Sequence, residues 1–362
     1  MRSLLRPRRT RLARVVAGVA LLGAGLSACS DVPPPVVDAS SITAQLRRVP
    51  NTANTRRSIY VTIYGLADDA AGTTFVKRQS SKKQELDRVR KLLVDAAAFP
   101  GVLGPNQNIA QQYRSLGYSP SDISAEVVAG LPPDTYDLAV GRFADKHGVS
   151  TEKEVLDHAA QVKGSERKKV HGKAVVRWLD DHAIDPKLDV PIGPLRGQAG
   201  RLGFPHEGVL AYTHTDRSIE QFIEVEAGDA PSLASDKDLA HVATYLDKEE
   251  AYSAFLSDQV VAQGKLKRYQ AIGLGVAGTV AKPKLVIVLA NSDVKTAEAN
   301  LATLRTTVAS GTVASSERPY SDSLTRGRFV RHGTTVVARL DASAPNVWIQ
   351  LVTHLDPLIG AQ

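Results

Sequence analysis

Ala271-Ile-Gly-Leu-Gly-Val-Ala-Gly-Thr-Val-Ala-Lys-Pro-Lys-Leu-Val-Ile-Val-Leu-Ala290 is the stretch whose reading decides the fold class. Within it Gly273-Leu274-Gly275-Val276-Ala277-Gly278 spells the GxGxxG of a dinucleotide-binding turn, and Asp293 falls 20 residues beyond the first glycine. That fingerprint works only where the glycines open a helix whose N-terminus receives a pyrophosphate. Here Thr279-Val280-Ala281-Lys282-Pro283 follows, β-branched and then interrupted by proline, and residues 285–290 read as another strand. A glycine-rich strand or hairpin is expected, not a nucleotide site. Hairpin neighbours imply an antiparallel sheet.

The pattern extends outward in both directions. Residues 294–310 read as a helix, 334–340 as a strand and 346–355 as a closing helix. Toward the N-terminus, 59–64, 136–143, 174–178 and 208–214 read as strands. Helices are expected over 82–99, 151–162, 216–225 and from Ser235 onward, and residues 105–133 as loop with a short helix over 125–130 after a start at Ser119-Pro120-Ser121-Asp122. The expected class is α+β: a mostly antiparallel sheet with helices packed on one face. Residues 208–225 and 285–304 rhyme as strand, polar turn with an aspartate (Asp216, Asp293) and helix, which is what two similar halves would give.

At the other end, Arg2, Arg6, Arg8, Arg9, Arg11 and Arg14 precede an apolar run over residues 15–26, and Leu26-Ser27-Ala28-Cys29 closes it with the only cysteine in the chain. The apolar run is too short for a transmembrane helix, which needs about 20 residues. Basic stretch, apolar run and small residues form a signal peptide. The last four residues resemble the lipobox of bacterial lipoproteins, which implies that Cys29 is diacylated and becomes the mature N-terminus. Arg8-Arg9 also resembles a twin-arginine signal, with Pro7 and Arg11 departing from that pattern. The expected organisation is a signal peptide over 1–28, an extended tether over 29–57 beginning with Pro33-Pro34-Pro35, an α+β domain over 58–263, and a second domain or half over 264–362.

Composition narrows the function. The formal charge of +7 falls to +1 once residues 1–28, with six arginines and no acid, are removed. A near-neutral exported body offers no basic surface for nucleic acid. Acylation of Cys29 leaves no thiol for a disulfide or a thiolate metal site. Basic clusters at Lys77-Arg78, Lys82-Lys83, Arg167-Lys168-Lys169 and Lys265-Lys267-Arg268 read as solvated faces that could also touch anionic lipid or wall polymer. Trp178 and Trp348 lie in apolar segments and are expected in the core.

No complete catalytic signature is spelled. Ser80-Ser81-Lys82-Lys83 and Ser292-Asp293-Val294-Lys295 both read SxxK, without the Lys-Thr-Gly strand that penicillin-recognising enzymes require. His206-Glu207 lacks the second histidine of a zinc helix. The remaining candidate polar site is Asp180, Asp181 and His182 on a loop, converging with His214 at a strand end. Neither a cofactor nor a metal is expected.

For the body, the segments 136–143 (YDLAVGRF), 208–212 (GVLAY) and 230–236 (APSLASD) resemble parts of uncharacterised envelope lipoproteins of high-GC Gram-positive bacteria, a resemblance that brings no activity with it. The sequence therefore leads to a lipid-anchored extracytoplasmic protein with a non-enzymatic binding or scaffolding role at the cell envelope. Its partners would be the membrane, through the anchor on Cys29, and an envelope protein or wall polymer. The alternatives are an envelope hydrolase centred on Asp180, Asp181, His182 and His214, and a carrier of a lipid or other hydrophobic ligand.

Overall fold

The computed structural model describes residues 38–73, 82–105, 116–119, 122–143, 151–188 and 197–362. The lipobox, Cys29, the Pro33–Pro35 run and Lys77-Arg78 lie outside them. The decisive stretch is a hairpin: β10 (Ala271–Thr279) and β11 (Lys282–Ala290) pair antiparallel from Ala271 opposite Ala290 to Thr279 opposite Lys282. Gly278, at φ +78°, supplies the left-handed backbone at the turn.

That hairpin belongs to one twelve-stranded antiparallel sheet. The other strands are β1 (Ile59–Ile63), β2 (Ile123–Ala129), β3 (Tyr136–Gly141), β4 (Glu166–Val170), β5 (Lys173–Trp178), β6 (Gly200–His206), β7 (Val209–Thr213), β8 (Ser253–Ser257), β12 (Leu324–His332) and β13 (Thr335–Ala342). Their order is β12-β13-β11-β10-β8-β1-β2-β3-β7-β6-β5-β4. A short strand, β9 (Gln263–Leu266), bridges instead to Ala361. β8 pairs with β1 on one side and β10 on the other, so the sheet runs uninterrupted across the expected boundary at 263/264.

The α+β class with an antiparallel sheet is therefore what the chain adopts, but the helices cover both faces rather than one. The central strands are apolar on both sides, and alternate residues feed two cores. Leu285, Ile287 and Leu289 of β11 join a core with α2 (Tyr64–Ala70), the π-helical turn Lys91–Asp95 that ends α3 (Lys82–Arg90), α4 (Glu152–Ala159), α7 (Val294–Ser310) and α8 (Val347–Thr353). Val286, Val288 and Ala290 join the opposite core with α1 (Ile42–Leu46), α5 (Asp216–Ala227) and α6 (Lys237–Lys248). The two rhyming segments fall on opposite faces. α5 starts at a Thr215 cap and α7 at an Asp293 cap, each side chain accepting the backbone N–H three residues on.

Two expectations are corrected. Residues 123–129 form β2, not a helix: Ile123, Val127 and Val128 are β-branched, and the segment pairs with β1 on one side and β3 on the other. The tether does not extend to 57: Ser41 caps α1, whose Ile42 and Leu46 are fully buried together with Val49. Their i, i+4, i+7 spacing makes one apolar stripe. Asp247 on α6 holds that stripe down, accepting from the backbone N–H of Ile42 at 2.7 Å and of Thr43 at 3.0 Å. Among the described residues no helix is long and apolar enough to cross a membrane.

Candidate functional site

Asp180, Asp181 and His182 follow β5, and His214 follows β7, so the fold does gather them at one corner of the sheet. Two arginines organise that corner. The Arg201 side chain, 1% exposed on β6, donates through Nε to Asp216 and through Nη2 to Asp181, and its Nη1 reaches the Leu179 and Gly200 carbonyls, each at 3.1 Å. Arg177 reaches Asp216 at 3.0 Å and Asp180 at 3.1 Å. Burial pushes the Asp216 carboxyl up, but the hydrogen bond and charge of Arg201 outweigh it and hold the group below its usual range.

The histidines stand apart from those aspartates. His182 Nε2 lies 3.4 Å from Asp134, and His214 Nδ1 hydrogen-bonds the Ala199 carbonyl at 2.8 Å with its ring edge-on to Tyr212. Burial holds the His214 imidazole below its ordinary value, against the hydrogen bond to the Ala199 carbonyl, which raises it. No hydrogen bond joins an aspartate of this group to either histidine among the described residues. The arrangement is an ion-pair clasp fastening the β5–β6 corner to the start of α5. Arg177, Arg201 and Asp216, which build it, were not singled out by the sequence pattern.

A second polar centre lies mid-sheet and was missed altogether. Glu126 on β2 and Asp137 on β3 are on the same face of adjacent strands, both buried. The loop 99–105, Phe-Pro-Gly-Val-Leu-Gly-Pro, turns its amide groups onto them. Gly101 donates to Glu126 Oε2 at 2.8 Å, Leu103 and Gly104 to Oε1 at 2.9 and 2.6 Å, and Val102 to Asp137 Oδ2 at 2.6 Å. The Tyr64 hydroxyl adds a fourth donor to Glu126 at 2.8 Å.

Glycine is required twice. A Cβ at Gly101 would come within 2.5 Å of Glu126 Oε1, and one at Gly104 within 2.0 Å of Oε2. Burial, and then the negative charge of Glu126, push the Asp137 carboxyl well above its usual range. Asp137 Oδ1 is buried and accepts from no donor among the described residues. Burial pushes the Glu126 carboxyl up as well, against the hydrogen bonds from the Tyr64 hydroxyl and the backbone N–H groups of Gly101 and Gly104, which favour its charged form. Aromatic anchors fix the ends of the loop: Tyr118 donates to the Leu103 carbonyl at 2.7 Å, and Phe99 stacks on Tyr60 with ring centres 4.1 Å apart. The only signal in sequence was an acid inside each of two strands otherwise apolar on both faces.

No protein-family model matches the chain, and no curated protein matches it either. Among solved structures it is similar to crystal form III of TP0453, at 7% identity and a TM-score of 0.41 over 89% of this chain and 98% of that one. Crystal form I of TP0453 gives 8% identity and a TM-score of 0.40, over 86% and 96%.

Proposed function

We propose that the chain is a lipid-anchored extracytoplasmic protein with a non-enzymatic binding role at the cell envelope. The anchor is argued from the Leu26-Ser27-Ala28-Cys29 pattern and its basic, apolar leader. The non-enzymatic part rests on one observation. Glu126 and Asp137, a carboxyl pair of the kind that would suit acid–base chemistry, are sealed from solvent, and three of their four oxygens accept from the backbone of the chain's own loop. A general acid or base has to come within hydrogen-bond reach of a substrate proton, and here the loop occupies that reach. The acids and arginines of the Asp181–Arg201–Asp216 clasp satisfy one another in the same way.

Metabolic labelling with palmitate tests the anchor. The wild-type chain should incorporate label and the Cys29→Ala variant should not; equal incorporation in both removes the lipid-anchor reading.

A further inference from the structure

At the end of the sheet where β4 turns into β5 and β6 into β7, a cavity of about 650 Å³ opens beside the start of α4. Phe143, Leu156 and Phe204 give it apolar walls, and Glu152, Lys173 and Glu207 bring charge to it. Two contacts hold its shape. Glu152 Oε1 accepts the Gly208 N–H at 2.9 Å, which ties the first turn of α4 to the β6–β7 turn. The Phe143 and Phe204 rings meet edge-on, with centres 5.2 Å apart, and close the floor. Which charges are already engaged decides what could bind. Lys153, also in the lining, is neutralised by Asp157 at 2.5 Å. The Lys173 ammonium and the Glu207 carboxylate have no hydrogen-bond or ion-pair partner among the described residues, and the Gly208 contact occupies only one oxygen of Glu152.

We propose that this cavity binds a short apolar peptide by its two charged ends, the ammonium against Glu152 and Glu207, the carboxylate against Lys173, and the side chains on Phe143, Leu156 and Phe204. The unengaged charges are of both signs, so a ligand carrying only one sign leaves part of the lining unmatched. Burial pushes the Glu152 carboxyl up, against the Gly208 N–H that favours its charge, and the negative charge of Glu207 adds to the rise. An ammonium beside both carboxylates relieves that repulsion. Apolar walls with a few polar groups, in a volume of roughly 300–1,000 Å³, are the usual make-up of a small-molecule site. The proposal rests on the binding reading above and names its ligand class.

Isothermal titration of the full chain with leucyl-leucine, its N-acetyl form and its C-terminal amide tests it. Leucyl-leucine should bind, with the N-acetyl form and the amide each weaker by about three- to tenfold, the loss expected of one partly solvated charge-assisted contact. Glu207→Gln should weaken leucyl-leucine by a similar factor and leave the N-acetyl form unchanged. Lys173→Met should weaken leucyl-leucine likewise and leave the amide unchanged. Both side chains are exposed and without partners among the described residues, so both variants should keep the fold. Ala174→Trp, at an exposed strand position in the lining, should fill the cavity and abolish binding.

Leucyl-leucine binding unchanged in Ala174→Trp would place the ligand elsewhere and overturn the assignment. Either capped form matching the parent peptide, or no binding of any probe, would do the same. The peptide's mass after titration separates this failure from that of the wider reading. An intact peptide that does not bind sinks the peptide site alone, whereas release of free leucine overturns the non-enzymatic reading and the peptide site with it. The anchor is judged separately, by palmitate labelling.

Discussion

Glu126 and Asp137 lie where ionisable groups are seldom found, and burial there pushes both carboxyls up, Asp137 the further because the charge of Glu126 adds to it. That has a direction in pH. An aspartate in the unfolded chain ionises near pH 3.9, whereas Asp137 in the fold ionises higher. Between those two values the unfolded chain gives up a proton that the folded chain keeps, so this group's contribution to stability is greatest in acid and declines as pH rises through the window. The decline is about 1.4 kcal/mol for each pH unit spanned. Asp137→Asn cannot ionise but can still donate to Glu126 and accept from Val102. Thermal melts across pH 4 to 9 should show the variant gaining stability relative to wild type as pH rises. A difference that is flat in pH would show that Asp137 titrates normally. Little of this was legible beforehand: an acid in an apolar strand reads as solvent-facing until the second face of that strand is known to be covered.

At the scale of elements, the glycine motif in β10 has a packing role in place of the nucleotide role its letters suggest. Gly273 and Gly275 face α6, and a Cβ at Gly273 would come within 2.4 Å of Val242 Cγ1 and 2.9 Å of Leu246 Cδ1. The helix rests directly on the strand backbone. Gly273→Ala should therefore overpack this contact and cost about 1–3 kcal/mol, measured by urea denaturation. Val242→Ala in the same chain should recover part of that loss, since neighbouring sites couple. Strictly additive losses would place the contact elsewhere.

Elements with strong local signals were the ones legible in sequence. The helix read over 294–310 has those bounds because Asp293 caps it and Gly311 ends it. The strands that escaped notice lack alternation for physical reasons. β4 and β12 are the edges of the sheet and carry Arg167-Lys168-Lys169 and Arg326, Arg328 and Arg331, charges that discourage edge-to-edge association. β6 contains Gly203 and Pro205, and β8 is short and buried on both sides. The polar corner was legible only in part. Asp180, Asp181, His182 and His214 do come together, yet the pairing depends on Arg201, whose place beneath them follows from the register of β5 with β6.

For the whole molecule, one sheet clothed on both faces carries the chain from β1 to β13, and the segment before β1 belongs to it through α1 and Val49. The expected tether is shorter than 29–57 because Ile42, Leu46 and Val49 are too apolar to remain in water. The central claim is that this body is held at the envelope by a lipid on Cys29 and binds a ligand rather than transforming one. Native mass spectrometry of the protein extracted from its own membrane tests it most directly. The expected species is a chain that begins at a diacylated Cys29 and retains a small, chemically intact ligand. An unmodified Cys29, or a bound species that the protein cleaves on incubation, would contradict it.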